Sequence, residues 1–149
     1  MGLNWSDQET RELKEFIESK GGKISVWKYL NLEGSQFISP YEYRKWKAGL
    51  NKSGRSRLTR RYKLKHNQMT PAEANYHRID HGFHVYTSYS RARYHAASSN
   101  PVIVRFEATL DNFIAAGAKR GKSFHAVFSQ LILPKSVVTR ILKKHGSTN

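Results

Sequence analysis

Phe83-His84-Val85-Tyr86-Thr87-Ser88-Tyr89-Ser90-Arg91-Ala92-Arg93-Tyr94-His95-Ala96 carries the change of period on which the reading of the fold turns. Phe83 to Tyr89 is rich in aromatic and β-branched residues and predicts a strand. Ser90 to Ala97 predicts a short helix, which Asn100-Pro101 breaks. Moving outward, Val102-Ile103-Val104-Arg105-Phe106 is the strongest strand in the chain, and Thr109 to Ala116 is expected to be a helix closed by Gly117. Phe124 to Leu133 predicts a third strand. Pro134 then opens a last helix through Val137, Val138, Ile141 and Leu142, with Lys143, Lys144 and His145 in the turn where cations suit the helix dipole. On the other side, Thr70-Pro71-Ala72-Glu73 starts a short helix expected to run to about Arg78.

The first third predicts helices. Ser6 and Glu9 form a capping box, Leu13, Phe16 and Ile17 share one face, and Gly21-Gly22 supplies the left-handed stop. A second short helix is expected over Val26 to Leu30. A third begins at Ser39, with Pro40 at its first position and Glu42 closing another capping box, and turns Tyr43, Trp46 and Leu50 inward. The expected class is therefore α+β: a small three-helix unit (1–51), a basic arm or linker (52–69), and a module of about three strands with flanking helices (70–149).

Charge is the strongest functional signal. The chain carries 26 Lys and Arg against 11 Asp and Glu, a formal net charge of +15 on 149 residues. Residues 1–50 are nearly neutral, with eight basic and seven acidic side chains, so the excess lies beyond them. Lys52, Arg55, Arg57, Arg60, Arg61, Lys63 and Lys65 follow one another with no carboxylate before Glu73. Such an arm gains affinity for a polyanion by releasing counterions from its phosphates. There is no cysteine, which excludes a disulfide framework, a thiolate metal site and a cysteine nucleophile. Met1-Gly2-Leu3-Asn4-Trp5-Ser6 lacks the apolar run of a signal peptide, and no stretch reaches transmembrane length, so a cytoplasmic location without membrane binding is expected.

The tryptophans Trp5, Trp27 and Trp46 all lie in the first third. Trp5-Ser6-Asp7-Gln8-Glu9, Gly22-Lys23-Ile24-Ser25-Val26-Trp27 and Tyr43-Arg44-Lys45-Trp46-Lys47-Ala48-Gly49-Leu50-Asn51 resemble a Myb/SANT-type helix-turn-helix repeat. The resemblance implies a recognition helix from Pro40 to Leu50 that presents Arg44, Lys45 and Lys47. The alternative reading is that the tryptophans fill a small core.

His77, His81, His84, His95 and His125 gather in the second half. His77 and His81 have metal-ligand spacing on a helix, but no second cluster completes a site, and no metal is expected. Two histidines beside a cation also suit general acid–base cleavage of RNA. The aromatic and basic residues of 83–96 are the composition on which bases stack while phosphates are neutralised, with Arg91 and Arg93 as contacts. His84-Val85-Tyr86-Thr87-Ser88, Pro101-Val102-Ile103-Val104, Phe113 through Gly117, and Phe128 through Pro134 resemble the ADP-ribosyltransferase-type fold, which includes the RNA 2′-phosphotransferases. That likeness implies NAD as cofactor, with His84 and Ser88 hydrogen-bonded to it and Arg91 against its phosphate. Without it, no cofactor is expected.

The expectation drawn from these residues is a nucleic-acid-binding protein, with DNA favoured over RNA. Arg44, Lys45, Lys47 and the arm would supply its phosphate contacts. An enzyme acting on nucleic acid, either transferase-like or a histidine-based ribonuclease, is the alternative. A third class is a protein inhibitor that meets an acidic surface on a nucleic-acid enzyme.

Overall fold

The computed structural model describes residues 3–40, 44–53, 76–79, 81–97 and 101–145. After a short strand β1 (Leu3–Ser6), Ser6 caps helix α1 (Asp7–Ser19): its hydroxyl accepts the Glu9 amide at 3.1 Å and donates to the Glu9 carboxylate at 2.8 Å. Gly21 and Gly22, at φ +81° and +88°, release the chain into β2 (Lys23–Glu33). Then follow β3 (Gln36–Ile38), β4 (Lys45–Trp46), β5 (Gly49–Lys52), β6 (Tyr76–Ile79) and β7 (Phe83–Tyr86). Helix α2 (Tyr89–His95) leads to β8 (Pro101–Thr109), a 3-10 turn (Leu110–Asn112), β9 (Phe113–Arg120), β10 (Ser123–Phe128), β11 (Gln130–Leu133) and helix α3 (Lys135–Lys144).

Nine of these strands form one antiparallel sheet in the order β5-β11-β8-β2-β7-β10-β9, with β3 on β2 and β4 on β3. Its spine is the β2–β8 ladder, registered without a break from Lys23↔Thr109 to Asn31↔Pro101. Strand β8 alternates cleanly: Val102, Val104, Phe106 and Ala108 are buried and the residues between them are not. That alternation sends one set of side chains to one face. There they meet Leu30, Phe128, Leu131 and Leu133 from the sheet, Leu13 and Ile17 from α1, and Val137 from α3. Each large side chain so buried contributes about 1.5–3 kcal/mol relative to exposure. The opposite face of β9 and β10 holds a second, smaller cluster, in which Ala115 and Val127 pack on Leu3 and Trp5 of β1. Strand β1 pairs only with β6, from Leu3↔Ile79 to Ser6↔Tyr76, so the two lie over the large sheet as a ribbon.

The expected α+β layout with a three-helix unit is corrected by this sheet. Helix α1 is present, but Val26 to Leu30 lies inside β2, and β4 and β5 occupy the place of the third helix. In β2 the buried residues Ile24, Val26, Leu30 and Leu32 recur with period 2, and pairing on β8 satisfies the backbone better than a single helical turn. The Myb/SANT resemblance falls with those helices: three tryptophans do not share one helical core, since Trp46 enters the main core and Trp5 the ribbon cluster. The ADP-ribosyltransferase-type resemblance needs a helix ending at Gly117, and Phe113 to Gly117 is strand β9. Ala115, Ala116 and Gly117 are small there because β1 crosses close above; a Cβ on Gly117 would overlap the Asn4 carbonyl. NAD as cofactor rested on that likeness and is dropped with it. Phe16, expected inward, is 46% exposed beneath the Lys20 ammonium. The predicted strand from Phe124 to Leu133 is two strands parted at Ser129, and His77 lies in β6 rather than on a helix with His81. The basic arm from Arg55 to Lys65 and the start of the helix predicted from Thr70 lie outside the described residues. Among the described residues, no helix is long and apolar enough to cross a membrane.

Candidate functional site

Strands β4 and β5 are joined by a turn that one side chain builds. Buried Asn51 accepts the Lys47 amide at 3.2 Å through Oδ1, and its Nδ2 donates to the carbonyls of Lys47 at 2.9 Å and Gly49 at 3.1 Å. Gly49 sits at φ +94°, where a β-carbon would be strained. Below the turn, Trp46 packs on Phe83 at 4.6 Å and Phe106 at 4.9 Å, and its indole N–H donates to the Ser39 hydroxyl at 2.6 Å. The β4–β5 turn is thus bolted to the main core.

Around it opens a cleft of about 800 Å³. Arg44, Lys45, Lys47 and Lys52 line it, with Gln36, Leu50 and Asn51 between them and no carboxylate among the described residues. Lys45, Lys47 and Lys52 are exposed, and Leu50 is 43% exposed. Arg44 is held: its guanidinium lies 5.1 Å from the centre of the Phe83 ring and donates to the Lys52 carbonyl at 3.3 Å. Like charges this close raise one another's free energy, and an anion between them lowers it.

The second group of predicted residues meets elsewhere. On the sheet face opposite the main core, Tyr86 of β7 pairs in register with His125 of β10 and with Trp27 of β2. Tyr86 stacks on His125 at 4.7 Å between ring centres, and on the other side against His95 of α2 at 5.0 Å with the planes 6° apart. His84 meets His125 edge to face at 5.6 Å, and Tyr94 stands edge-on to His95 at 5.1 Å. Five rings therefore run in one column. Burial, with the positive fields of His84 and Lys28 behind it, pushes the His125 imidazole down to about 3. Burial, then Arg91 and Arg120, lowers His95.

Of the three residues singled out for catalysis, His84 is in the column, with both ring nitrogens shut off from solvent. Ser88 caps α2 by accepting the Arg91 amide at 3.3 Å and shares a 2.9 Å hydrogen bond with Ser123. Arg91 lies beside the column, while Arg93 is exposed on α2. A general acid or base has to reach the proton it moves. In this arrangement the ring nitrogens of His84 face protein.

The structure brings Arg44, Lys45, Lys47 and Lys52 together on strands and a turn, not on a recognition helix. Arg91 and Arg120 meet separately, beside His95, and Arg93 is exposed on α2. Asn51 closes the stretch that resembles a helix-turn-helix, although Lys47-Ala48-Gly49-Leu50-Asn51 has the glycine and asparagine of a tight turn. Leu50, expected to turn inward, is 43% exposed on the cleft, and Arg120 stands in no motif that would have singled it out. Comparison with protein-family models, with curated proteins and with solved structures finds no match for this chain.

Proposed function

We propose that this chain binds nucleic acid through the phosphate backbone. The observation that carries the reading is the β4–β5 cleft, where four cations meet with no carboxylate among the described residues. The next residues in sequence, from Arg55 to Lys65, continue the same charge. Backbone binding of this kind needs cations at phosphate spacing and no base-reading helix. The earlier preference for DNA rested on a recognition helix, and with strands in its place the proposal carries no such preference.

The test is salt dependence. Lys45→Gln, Lys47→Gln and Lys52→Gln, combined, should weaken binding and flatten the slope of log K against log salt. The loss is about 0.9 per phosphate contact on duplex DNA and about 0.7 on a single strand. A triple variant with unchanged slope and affinity would remove the cleft from the interface. Tight, salt-sensitive binding to acidic proteins but to no nucleic acid would replace the reading with the inhibitor class.

A further inference from the structure

Tyr94 is 80% exposed, and a lone exposed tyrosine is unremarkable. Its setting is not ordinary. Tyr94 is the outer end of the five-ring column, braced by His95, which is itself stacked flat on Tyr86. Among the described residues, the charges that act on His95 at that end are positive, Arg91 on α2 and Arg120 at the end of β9, and Arg93 precedes Tyr94 on the same helix. Helix α2 has no acidic residue. Arg91 Nε and His95 Nε2 are buried, and neither has a hydrogen-bond partner among the described residues. An exposed aromatic ring, braced by a histidine on which two arginines act, fits a flat π system carrying negative charge, which is what a nucleotide is. In a duplex both faces of each base are covered by neighbouring bases. Only an unpaired base offers one.

We propose that Tyr94 is a stacking platform for an unpaired base, with Arg91, Arg93 and Arg120 neutralising the flanking phosphates, so that the protein holds single strands in preference to duplex. This deepens the nucleic-acid reading and rests on it. Stacking is tolerant of sequence, because every base has a π face.

The experiment uses the full chain and three labelled probes of equal length: an oligothymidylate, the same strand with abasic sugars, and a duplex. Fluorescence anisotropy should show the wild-type protein binding thymidylate about five- to a hundredfold more tightly than the abasic strand. Tyr94→Ala should bring thymidylate down to the abasic level while leaving abasic and duplex affinities, and the salt slope, as they were. Tyr94→Trp should keep the preference, and its added fluorescence should be quenched by the base-bearing strand. A wild-type protein indifferent to the bases, or a preference that survives Tyr94→Ala, overturns the platform. If the cleft lysines still govern affinity in that case, the backbone reading stands without it. If the wild-type protein binds none of the three probes in a salt-sensitive way, both fall.

Discussion

Asn51 grips Lys47 at both ends of its amide, accepting from the Lys47 N–H and donating to the Lys47 carbonyl. A lysine of the cleft is thereby fixed at its backbone by a residue that is itself buried. Asn51→Ala leaves backbone groups of Lys47 and Gly49 unpaired, and such a loss costs about 1–3 kcal/mol. The urea midpoint should fall accordingly, and nucleic-acid affinity with it at temperatures where the protein is still folded. Asn51→Asp should be worse for binding, since it sets a carboxylate among the cations. An asparagine-free turn of full stability would show that the strands, not this side chain, shape the cleft.

Trp46 ties the β4–β5 turn to the core. Truncation to alanine should cost about 3–5 kcal/mol, as large core truncations do, and should lower the cooperative unfolding of the whole sheet rather than of a local unit. Trp46→Phe should cost less, through lost volume and the lost hydrogen bond to Ser39. Acrylamide should reach half-buried Trp27 before Trp46 or Trp5. Equal quenching of all three would contradict the packing.

His125 makes stability depend on pH. Its folded pKa of about 3 lies below the ordinary value of 6.5, so below pH 6.5 the unfolded chain takes a proton that the folded one refuses. Stability is therefore unaffected by this group above pH 6.5 and falls as pH drops toward 3, by at most about 1.4 kcal/mol per pH unit. His95, lowered as well, acts with the same sign. Between pH 6.5 and 5, above the usual carboxylate range, His125→Gln should flatten the decline of the urea midpoint. A slope identical to wild type would show that His125 is protonated in the folded protein.

Gly117 lets β1 approach. Gly117→Ala forces a methyl group against the Asn4 carbonyl, and overpacking of this kind costs about 1–3 kcal/mol. Trp5 fluorescence should shift toward that of an exposed indole before the far-UV signal changes, because the ribbon sits on the sheet and is not part of it. A variant as stable as wild type would mean that the ribbon has room to rise.

The arm is tested by charge alone. Arg57→Gln, Arg60→Gln, Arg61→Gln and Lys63→Gln together should flatten the salt slope further, by about 0.9 per lost contact on duplex DNA. If the slopes of the arm and cleft variants do not add, the two do not contact phosphate independently.

Local signals in the sequence were sound where local physics decides. The Ser6 cap, the Gly21-Gly22 stop, the turn from β7 into α2 and the start of α3 after Pro134 all formed where side chains act on their own backbone. Errors arose where pairing overrode propensity. Trp27 and Tyr29 fill the gaps between the alternating core residues of β2, and a run apolar on both faces reads equally as helix. Alanines in β9 promised a helix, yet they are small to admit a crossing strand. Pro40 and Glu42 mimicked a helix start ahead of a strand. At the site, Lys45 and Lys47 came from the helix-turn-helix resemblance that the sheet overturns, and Lys52 from the charge of the arm. That Tyr94, His95, Tyr86, His125 and His84 form one column depends on the β7–β10 register, which no local window contains.

Side chains occupy part of two borders of the large sheet, β9 and β5. At β9, the Thr10 hydroxyl accepts from the Ala116 amide at 3.0 Å and donates to its carbonyl at 3.3 Å, and Glu9 takes the Lys119 amide at 2.7 Å. At β5, Arg44 and Asn51 occupy the carbonyls of Lys52 and Gly49. An open strand edge is a template on which a neighbouring copy can add its own strand. Here several of the hydrogen bonds such an addition would use are already made. Copies of this chain crowded together would find fewer free backbone groups on these two borders with which to fuse their sheets.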